Sequence, residues 1–537
     1  MLLIVTPTTM GIPAYFAYVI KNHAEIVKRW NGEEKLVDNL YIDANSVIYD
    51  VVHKDAAEGI DVIHTEEGYL ALIHKVVAKL QHYIDFVAPH KRILIAFDGQ
   101  APMAKLKQQR ERRYKAVADG REGTLFITAG TIFMNVLNRF LYSHKWGVGG
   151  DVEVIVSGSD IVGEGEHKIF AYMRGNVKYH KQSRTFIYGL DADLIILSLT
   201  HVNICPNLFL FREDMDKQKG GGGQQPQRQY KLLVNIRLFA EHIEEKYRIP
   251  IKDYIFLSFL LGNDFMPHFP TINLRTFGID RLIETYAKLT AANTSGEVNV
   301  LFWKEQDNGN GNVCWANVLK FVALLAENED KWMREEHWHR DKMEIRMSKS
   351  PTDALCENPE NRPIFCRETE KYIAPDYPNW RERYYRALFV CSHDENGKNV
   401  GVEVEVGSIV SNYLEGLEWC MKYYTGTSTI ANWNWTYKHN YPPLLADIVS
   451  FSPDFLAAAA AAAAAAGTLT AAVTHKGDQS PDDWIFYVLP ECAWKYVDSR
   501  IVQPPSPSHI TTVAAAAIKL EWSYCRYLWE SHILTGG

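Results

Sequence analysis

The position of carboxylates relative to short apolar runs constrains this chain more than any other feature. Asp43 closes Leu40-Tyr41-Ile42, and Asp98 closes Ile95-Ala96-Phe97. Asp191 and Asp193 follow Ile187-Tyr188-Gly189-Leu190, while Glu164 and Glu166 follow a run ending near Val156 after a short glycine-bearing turn. Asp264 follows Leu260-Leu261-Gly262-Asn263. Amphipathic helical patterns over 70–86, 105–117 and 132–142 separate apolar runs at 39–42, 93–97, 152–156 and 185–190. Strand–helix alternation of this kind predicts an α/β domain with a mostly parallel sheet flanked by helices. The carboxyl ends of such strands share one edge, where ligand crevices lie, so the seven acids are expected to converge.

Carboxylates that crowd together repel and raise one another's pKa. Mg²⁺ relieves this through oxygen ligation, Mn²⁺ being able to substitute, and two such ions about 4 Å apart activate water and stabilise a leaving oxygen. The chemistry suited to that arrangement is phosphodiester hydrolysis. Any one of these acids alone reads better as a cap or turn residue, but the set, with two acid-x-acid pairs, reads as a metal site.

The formal net charge of −8 excludes a global basic field, so any nucleic-acid surface must be local. One local candidate stands out. Residues 105–115 carry six basic side chains against the single acid Glu111. Lys105, Gln109, Arg112 and Arg113 fall at i, i+4, i+7 and i+8, one helical face. Cations and arginine forks on one face suit a terminal phosphate; a solvated charged helix is the competing reading.

At 537 residues the chain suggests several domains or subdomains. Its eight cysteines are scattered without a C-x-x-C pair, which favours a reducing, cytoplasmic setting over a disulfide scaffold. The N-terminus lacks a basic segment, so no signal peptide is expected. Residues 217–229, with four consecutive glycines, read as a surface loop. Residues 254–261 form a buried apolar segment and 278–289 a helix, whereas 300–375 are polar and tryptophan-rich with little clean periodicity. A ten-alanine run at 457–466 recurs in miniature at 514–517 and supports no functional reading.

These segments together resemble the Xrn-type 5′-to-3′ exoribonucleases. The resemblance rests on Met10-Gly11-Ile12-Pro13, Tyr41-Ile42-Asp43-Ala44-Asn45-Ser46, Phe97-Asp98-Gly99-Gln100-Ala101-Pro102 and Gln108-Gln109-Arg110-Glu111-Arg112-Arg113. Its most specific parts are Gly163-Glu164-Gly165-Glu166-His167-Lys168, Gly189-Leu190-Asp191-Ala192-Asp193 and Leu261-Gly262-Asn263-Asp264-Phe265-Met266-Pro267. A second stretch follows in family order, with Tyr413-Leu414-Glu415-Gly416-Leu417-Glu418-Trp419, Asn432-Trp433-Asn434-Trp435, Tyr441-Pro442-Pro443 and Val488-Leu489-Pro490.

The resemblance implies a PIN/flap-nuclease-like catalytic domain over 10–290 and a mixed α/β, aromatic-rich second region over 380–500. Residues 1–9 would be an extension, 291–379 a connecting segment and 501–537 a tail. Asp43, Asp98, Glu164, Glu166, Asp191, Asp193 and Asp264 would hold two Mg²⁺ ions and serve catalysis. Lys105, Gln109, Arg112 and Arg113 would grip the 5′-monophosphate of single-stranded RNA. The leading base would stack between Tyr49, where the family carries a histidine, and Trp433 or Trp435. Met103 and Val162 also depart from the family's usual arginine and proline, and Ala129 and Ile132 alter another turn; none of these is a metal ligand. The short chain looks like a minimal core, as a compact viral genome would carry, acting in host cytoplasm or virion. Two other readings stay open: a flap-type DNA nuclease, and an inactive descendant kept as an RNA-binding or virion component.

Overall fold

A computed structural model describes residues 12, 14–33, 36–118, 120, 122–213, 231–291, 302–305, 311–348, 358–389, 405–426, 432–466, 484–498, 500 and 519–534. The loop expected at 217–229, the extension 1–9 and the alanines 514–517 lie outside the described residues. The described residues fall into two compact units. One draws on 14–246 and 477–512, the other on 1–13, 247–476 and 513–537.

The first unit begins with α1 (Tyr15–Asn22) and β1 (Val27–Trp30). The alternation then runs β2 (Asn39–Asp43), α2 (Asn45–Ala57), α3 (Glu66–Val87), β3 (Arg92–Ala96), α4 (Met103–Ala118), α5 (Ile132–Ser143) and β4 (Glu153–Ser157). It continues through α6 (Gly165–Gly175), α7 (Val177–His180), β5 (Arg184–Tyr188), α8 (Asp193–Thr200), β6 (Asn207–Glu213), β7 (Lys231–Asn235) and α9 (Ile236–His242). The four expected strands are present, each within two residues of its expected bounds.

The seven strands pair in the order β1-β7-β6-β5-β2-β3-β4. The stretch from β6 to β4 is parallel, and β7 and β1 add antiparallel pairs at one side. After β2 the chain moves outward through β3 and β4, then returns to place β5 on the other flank of β2. Strand order therefore reverses between β2 and β5, the kind of place where open α/β sheets form their crevices. Leu40, Ile42, Ile93, Ile95, Phe186 and Tyr188 join α2, α3 and α5 in one large apolar core. Tyr41, Leu94 and Ile187, on the opposite face, are also buried, and α6 packs there on β2 and β3. Burial on both faces explains why these strands read as continuous apolar runs instead of alternating ones.

The second unit is dominated by helices, among them α10 (Ile251–Phe259), α11 (Gly278–Ala291), α12 (Trp315–Ala326) and α13 (Glu329–Ser348). Later come the helices Trp380–Leu388, Val406–Thr425 and Leu445–Ala466, the last running through the alanine tract. Two small antiparallel sheets pair Trp303–Glu305 with Gly311–Val313 and Lys519–Glu521 with His532–Leu534. Region 300–375 thus holds a 20-residue helix that periodicity did not reveal. The buried face of α13 is largely charged: Glu329, Glu336, His337 and Arg340 are buried beside Met333. Arg340 and Arg367 both bond Glu370 at 2.7 Å, so charge pairs replace the apolar stripe. No helix among the described residues is long and apolar enough to cross a membrane.

Candidate active site

Strand register sets the site. Asp43 at the end of β2 pairs across to Ala96 of β3, which pairs to Ser157 of β4, while Ile42 faces Tyr188 of β5. The four carboxyl ends are flush, so the acids that follow them leave from one line. Asp98, Asp191, Lys105 and Glu164 all act electrostatically on Asp43, and Asp191, Lys105, Glu164 and Asp193 act on Glu166. Six of the seven expected acids are thereby brought to one edge of the first unit. Asp264 belongs to the second unit.

Asp98 is held from both sides. Its Oδ1 accepts the Gly165 backbone N–H at 2.7 Å, and its Oδ2 accepts Asn45 Nδ2 at 2.6 Å. Its own N–H reaches back to Asn45 Oδ1 at 3.3 Å. The first residue of α6 must be glycine for this approach, since a methyl group at Gly165 would lie 2.7 Å from Asp43 Oδ1. A methyl at Gly189 would similarly strike Leu194 Cδ1 at 2.1 Å. Asp191 Oδ1 accepts the Asp193 N–H at 3.0 Å and so shapes the start of α8.

Burial, reinforced by Asp98 and Asp191, pushes the Asp43 carboxyl well above its usual range; Lys105 works the other way. Burial, then Asp191, raises Glu166 in the same manner. Glu166 Oε2 is buried with no hydrogen-bond partner. A buried carboxylate oxygen without a donor, among other carboxylates, fits a hard divalent cation with oxygen preference. The oxygens are not drawn into a tight knot, however. Among the described residues the one trio of possible ligand atoms within 4.8 Å of one another is His23, Glu25 and His242.

The basic helix turns part of its charge inward. Lys105, Gln109 and Arg113 of α4 are buried, which a solvated charged face would not be. Lys105 Nζ lies 2.7 Å from Glu164 Oε2, with both side chains almost fully enclosed. Arg113 donates from Nε to Thr128 Oγ1 at 2.9 Å and from Nη1 to the Gln109 carbonyl at 3.1 Å. Burial, assisted by Arg112, pushes the Arg113 guanidinium down to about 10, still protonated at neutral pH. Arg112 reaches over the Tyr49 ring, 5.9 Å from its centroid.

In the second unit Asp264 sits in a tight turn after α10. Asn263 Oδ1 accepts the N–H groups of Phe265 and Met266, both at 2.9 Å. The two tryptophan candidates lie two residues apart in this unit. Trp435 stacks on Trp419 at 5.2 Å, and Trp419 stacks in turn on Tyr423 at 4.8 Å. Trp435 is thus part of a packed aromatic row, and both tryptophans are partly exposed.

Comparison with known families identifies the chain's relatives. The model for the XRN 5'-3' exonuclease N-terminus matches residues 10–125 and 122–214, and that for the Xrn1 helical domain matches 246–371 and 376–454. The chain belongs to the Xrn family. The 5'-3' exoribonuclease 1 of Schizosaccharomyces pombe is 24% identical over 82% of this chain and 42% of its own length. The 5'-3' exoribonuclease 2 of Arabidopsis thaliana is 24% identical over 97% of this chain and 65% of its own length. The human 5'-3' exoribonuclease 1 is 25% identical over 82% and 29%. This Xrn-family chain therefore spans less than two thirds of each of these relatives. A solved Rad2 catalytic core in complex with DNA aligns to 52% of the chain at 14% identity with a TM-score of 0.30, too slight an overlap to bear on chemistry.

The structure adds residues to this Xrn site that sequence reasoning passed over. Asn45 orients Asp98, and its signal was present in Asp43-Ala44-Asn45. Lys168 donates to the carbonyls of Phe97 and Gly158, both at 2.8 Å, tying together the chain beyond β3 and β4. Arg110 lies 4.4 Å from the Tyr114 ring and 4.9 Å from that of Tyr487, and bonds the Tyr487 carbonyl. Met103, where the family pattern expects arginine, packs with Trp484 and Tyr487 against the Ala101, Leu106 and Val488 cluster.

Proposed function

We propose that this chain is a Mg²⁺-dependent 5′-to-3′ exoribonuclease that acts on single-stranded, 5′-monophosphorylated RNA and releases nucleoside 5′-monophosphates, in cytoplasmic RNA decay. The observation that carries the reading is the pairing of six carboxylates at one sheet edge with the buried cationic face of α4, joined by the Lys105–Glu164 contact. Two Mg²⁺ ions bound there would polarise the phosphodiester and lower the pKa of an attacking water.

In this reading Asp43, Asp98, Glu164, Glu166, Asp191 and Asp193 bind the ions. Asn45 and the Gly165 N–H hold Asp98 so that its oxygens do not rotate away. Lys105, Gln109, Arg112 and Arg113 bind the terminal phosphate; buried donors are already desolvated and gain more from each charge-assisted bond. Donors matched to a single terminal phosphate would disfavour triphosphate or capped ends. Tyr49 stacks on the leading base. Base–aromatic stacking tolerates any sequence, as a processing nuclease requires.

The test is a time course on 3′-labelled RNA with a 5′-monophosphate or a 5′-triphosphate, with and without Mg²⁺, repeated with Asp191→Ala. Metal-dependent loss of the monophosphorylated RNA alone, abolished by the substitution, is expected. RNA binding without cleavage would replace the proposal with the inactive-descendant reading. Preference for flapped DNA would replace it with the flap-nuclease reading.

A further inference from the structure

The trio His23, Glu25 and His242 belongs to the first unit but shares no residue with the carboxylate edge. His23 follows the last residue of α1, and its backbone N–H bonds the Val19 carbonyl at 2.9 Å. Glu25 occupies the single turn Ala24–Ile26, closed by an Ile26 N–H to His23 carbonyl bond of 3.1 Å. His242 is the last residue of α9. Backbone hydrogen bonding thus fixes where each side chain starts.

One possible ligand atom from each residue lies within 4.8 Å of the other two. Glu25 Oε1 is 2.8 Å from His242 Nδ1, and the two imidazole centroids are 6.1 Å apart with a 33° tilt. A tetrahedral ion bonded at about 2.0–2.1 Å would draw such atoms to roughly 3.3 Å from one another, a small side-chain adjustment. His23 is fully buried and packs edge-on against Phe239 at 5.0 Å, which limits its ring to few orientations. The Glu25 and His242 side chains are 52% and 23% exposed, leaving one side open for ion entry and a water ligand.

We propose that His23, Glu25 and His242 form a Zn²⁺ site distinct from the carboxylate edge. Donor chemistry decides the metal. Two imidazoles and one carboxylate suit Zn²⁺ with an open fourth position, whereas Mg²⁺ prefers oxygen ligands and retains its waters. Lys246, which also acts on His23, opposes cation binding, and the Glu25 carboxylate offsets it. The site's consequence follows from connectivity. The turn bearing His23 and Glu25 leads directly into β1, the edge strand, while its partner β7 leads directly into α9 and His242. An ion here clips the entry to β1 to the helix that follows β7, closing the outer ribbon of the sheet.

Co²⁺ is the probe that separates this site from the carboxylate edge. Low-coordinate, nitrogen-ligated Co²⁺ absorbs strongly in the visible, whereas six-coordinate oxygen-ligated Co²⁺ absorbs weakly. The intact chain titrated with Co²⁺ is expected to develop strong bands that saturate at one ion per chain. Equimolar Zn²⁺ should displace them and excess Mg²⁺ should not. His242→Gln and Glu25→Gln, at partly exposed positions, should each weaken Co²⁺ binding by about tenfold or more, with Mg²⁺-dependent RNA hydrolysis unchanged. Zn²⁺ should also raise the melting temperature of the wild type and not of His242→Gln. Absence of the bands, their survival in His242→Gln, or their displacement by Mg²⁺ would overturn the proposal and leave an ordinary glutamate–histidine pair.

Discussion

Asn45 offers the most direct test of how this edge is built. Its amide spans Asp98, donating to the carboxylate at 2.6 Å and accepting the Asp98 N–H at 3.3 Å. Asn45→Ala removes both bonds but leaves the Gly165 N–H on the other carboxylate oxygen at 2.7 Å. Asp98 should therefore stay in place with one oxygen free to turn. A hydrogen bond to a charged group is worth about 1.5–3 kcal/mol. Partners that orient metal ligands typically account for about 10–100-fold in metal affinity or activity. The expected result is a loss in that range at low Mg²⁺, recovered in part as Mg²⁺ is raised. Asn45→Asp should do worse, because a second carboxylate would face Asp98 across the same short distance. Initial rates on 5′-monophosphorylated RNA over a Mg²⁺ titration measure this, with melting curves to establish folding. A Mg²⁺ dependence identical to wild type, at full rate, would refute the positioning role.

The remaining predictions concern stability and its sign. In EDTA, Glu166→Gln should raise the melting temperature while abolishing hydrolysis, because it removes a buried carboxylate oxygen without a partner, a group costing about 1–3 kcal/mol; the gap should widen as pH rises, since a raised carboxyl pKa withdraws stability above the usual carboxylate range. Lys105→Met should do the opposite, stripping Glu164 of its buried partner at a cost of about 3–5 kcal/mol in EDTA, and Mg²⁺ should restore part of it; equal melting of the two variants would defeat both expectations. In the second unit, burial pushes Asp253 up from 3.8 to about 7 although Tyr286 and the Phe302 N–H both donate to it. That group's contribution is full below pH 4 and lost as pH climbs through 7, a change of about 4 kcal/mol. Asp253→Asn should flatten urea midpoints measured between pH 4 and 8, and an unchanged slope would show the carboxyl to be ionised in the fold.

The parts of the fold legible in the sequence are those where one local rule decides. Strands β2 to β5 are buried on both faces, so their apolar runs stand out, and the acids that follow them inherit their line from parallel register. The inward face of α4 was legible as spacing but not as burial. The burial of Lys105, Gln109 and Arg113, with contacts such as Lys105–Glu164 between a helix and a loop 59 residues apart, distinguishes it from a solvated helix. Helix α13 was hidden because its buried face is polar, with Glu329 and Glu336 paired to Arg381 and Arg526 elsewhere in the second unit. The trio His23, Glu25 and His242 was hidden for a related reason. Two of its members stand two residues apart, the third lies more than two hundred residues later, and only the β1–β7 pairing brings them together.

Sequence distance also conceals what holds the inward basic face of α4 in place. Acids at strand ends are positioned by backbone hydrogen bonds, but α4 has no such ladder and must be placed by packing. One anchor is Lys105 on Glu164. Another is the helix Trp484–Val488, which packs on α4 through Leu106 and Val488 and takes Arg110 onto the Tyr487 ring and carbonyl. That helix lies beyond both matched family segments, which end at residue 454. The first unit is completed only when the chain returns to it after the second, so the acids and the cations opposite them are set by different parts of the sequence. A substitution on the apolar side of Trp484–Val488 can shift the basic side chains of α4 while leaving every carboxylate where strand register puts it.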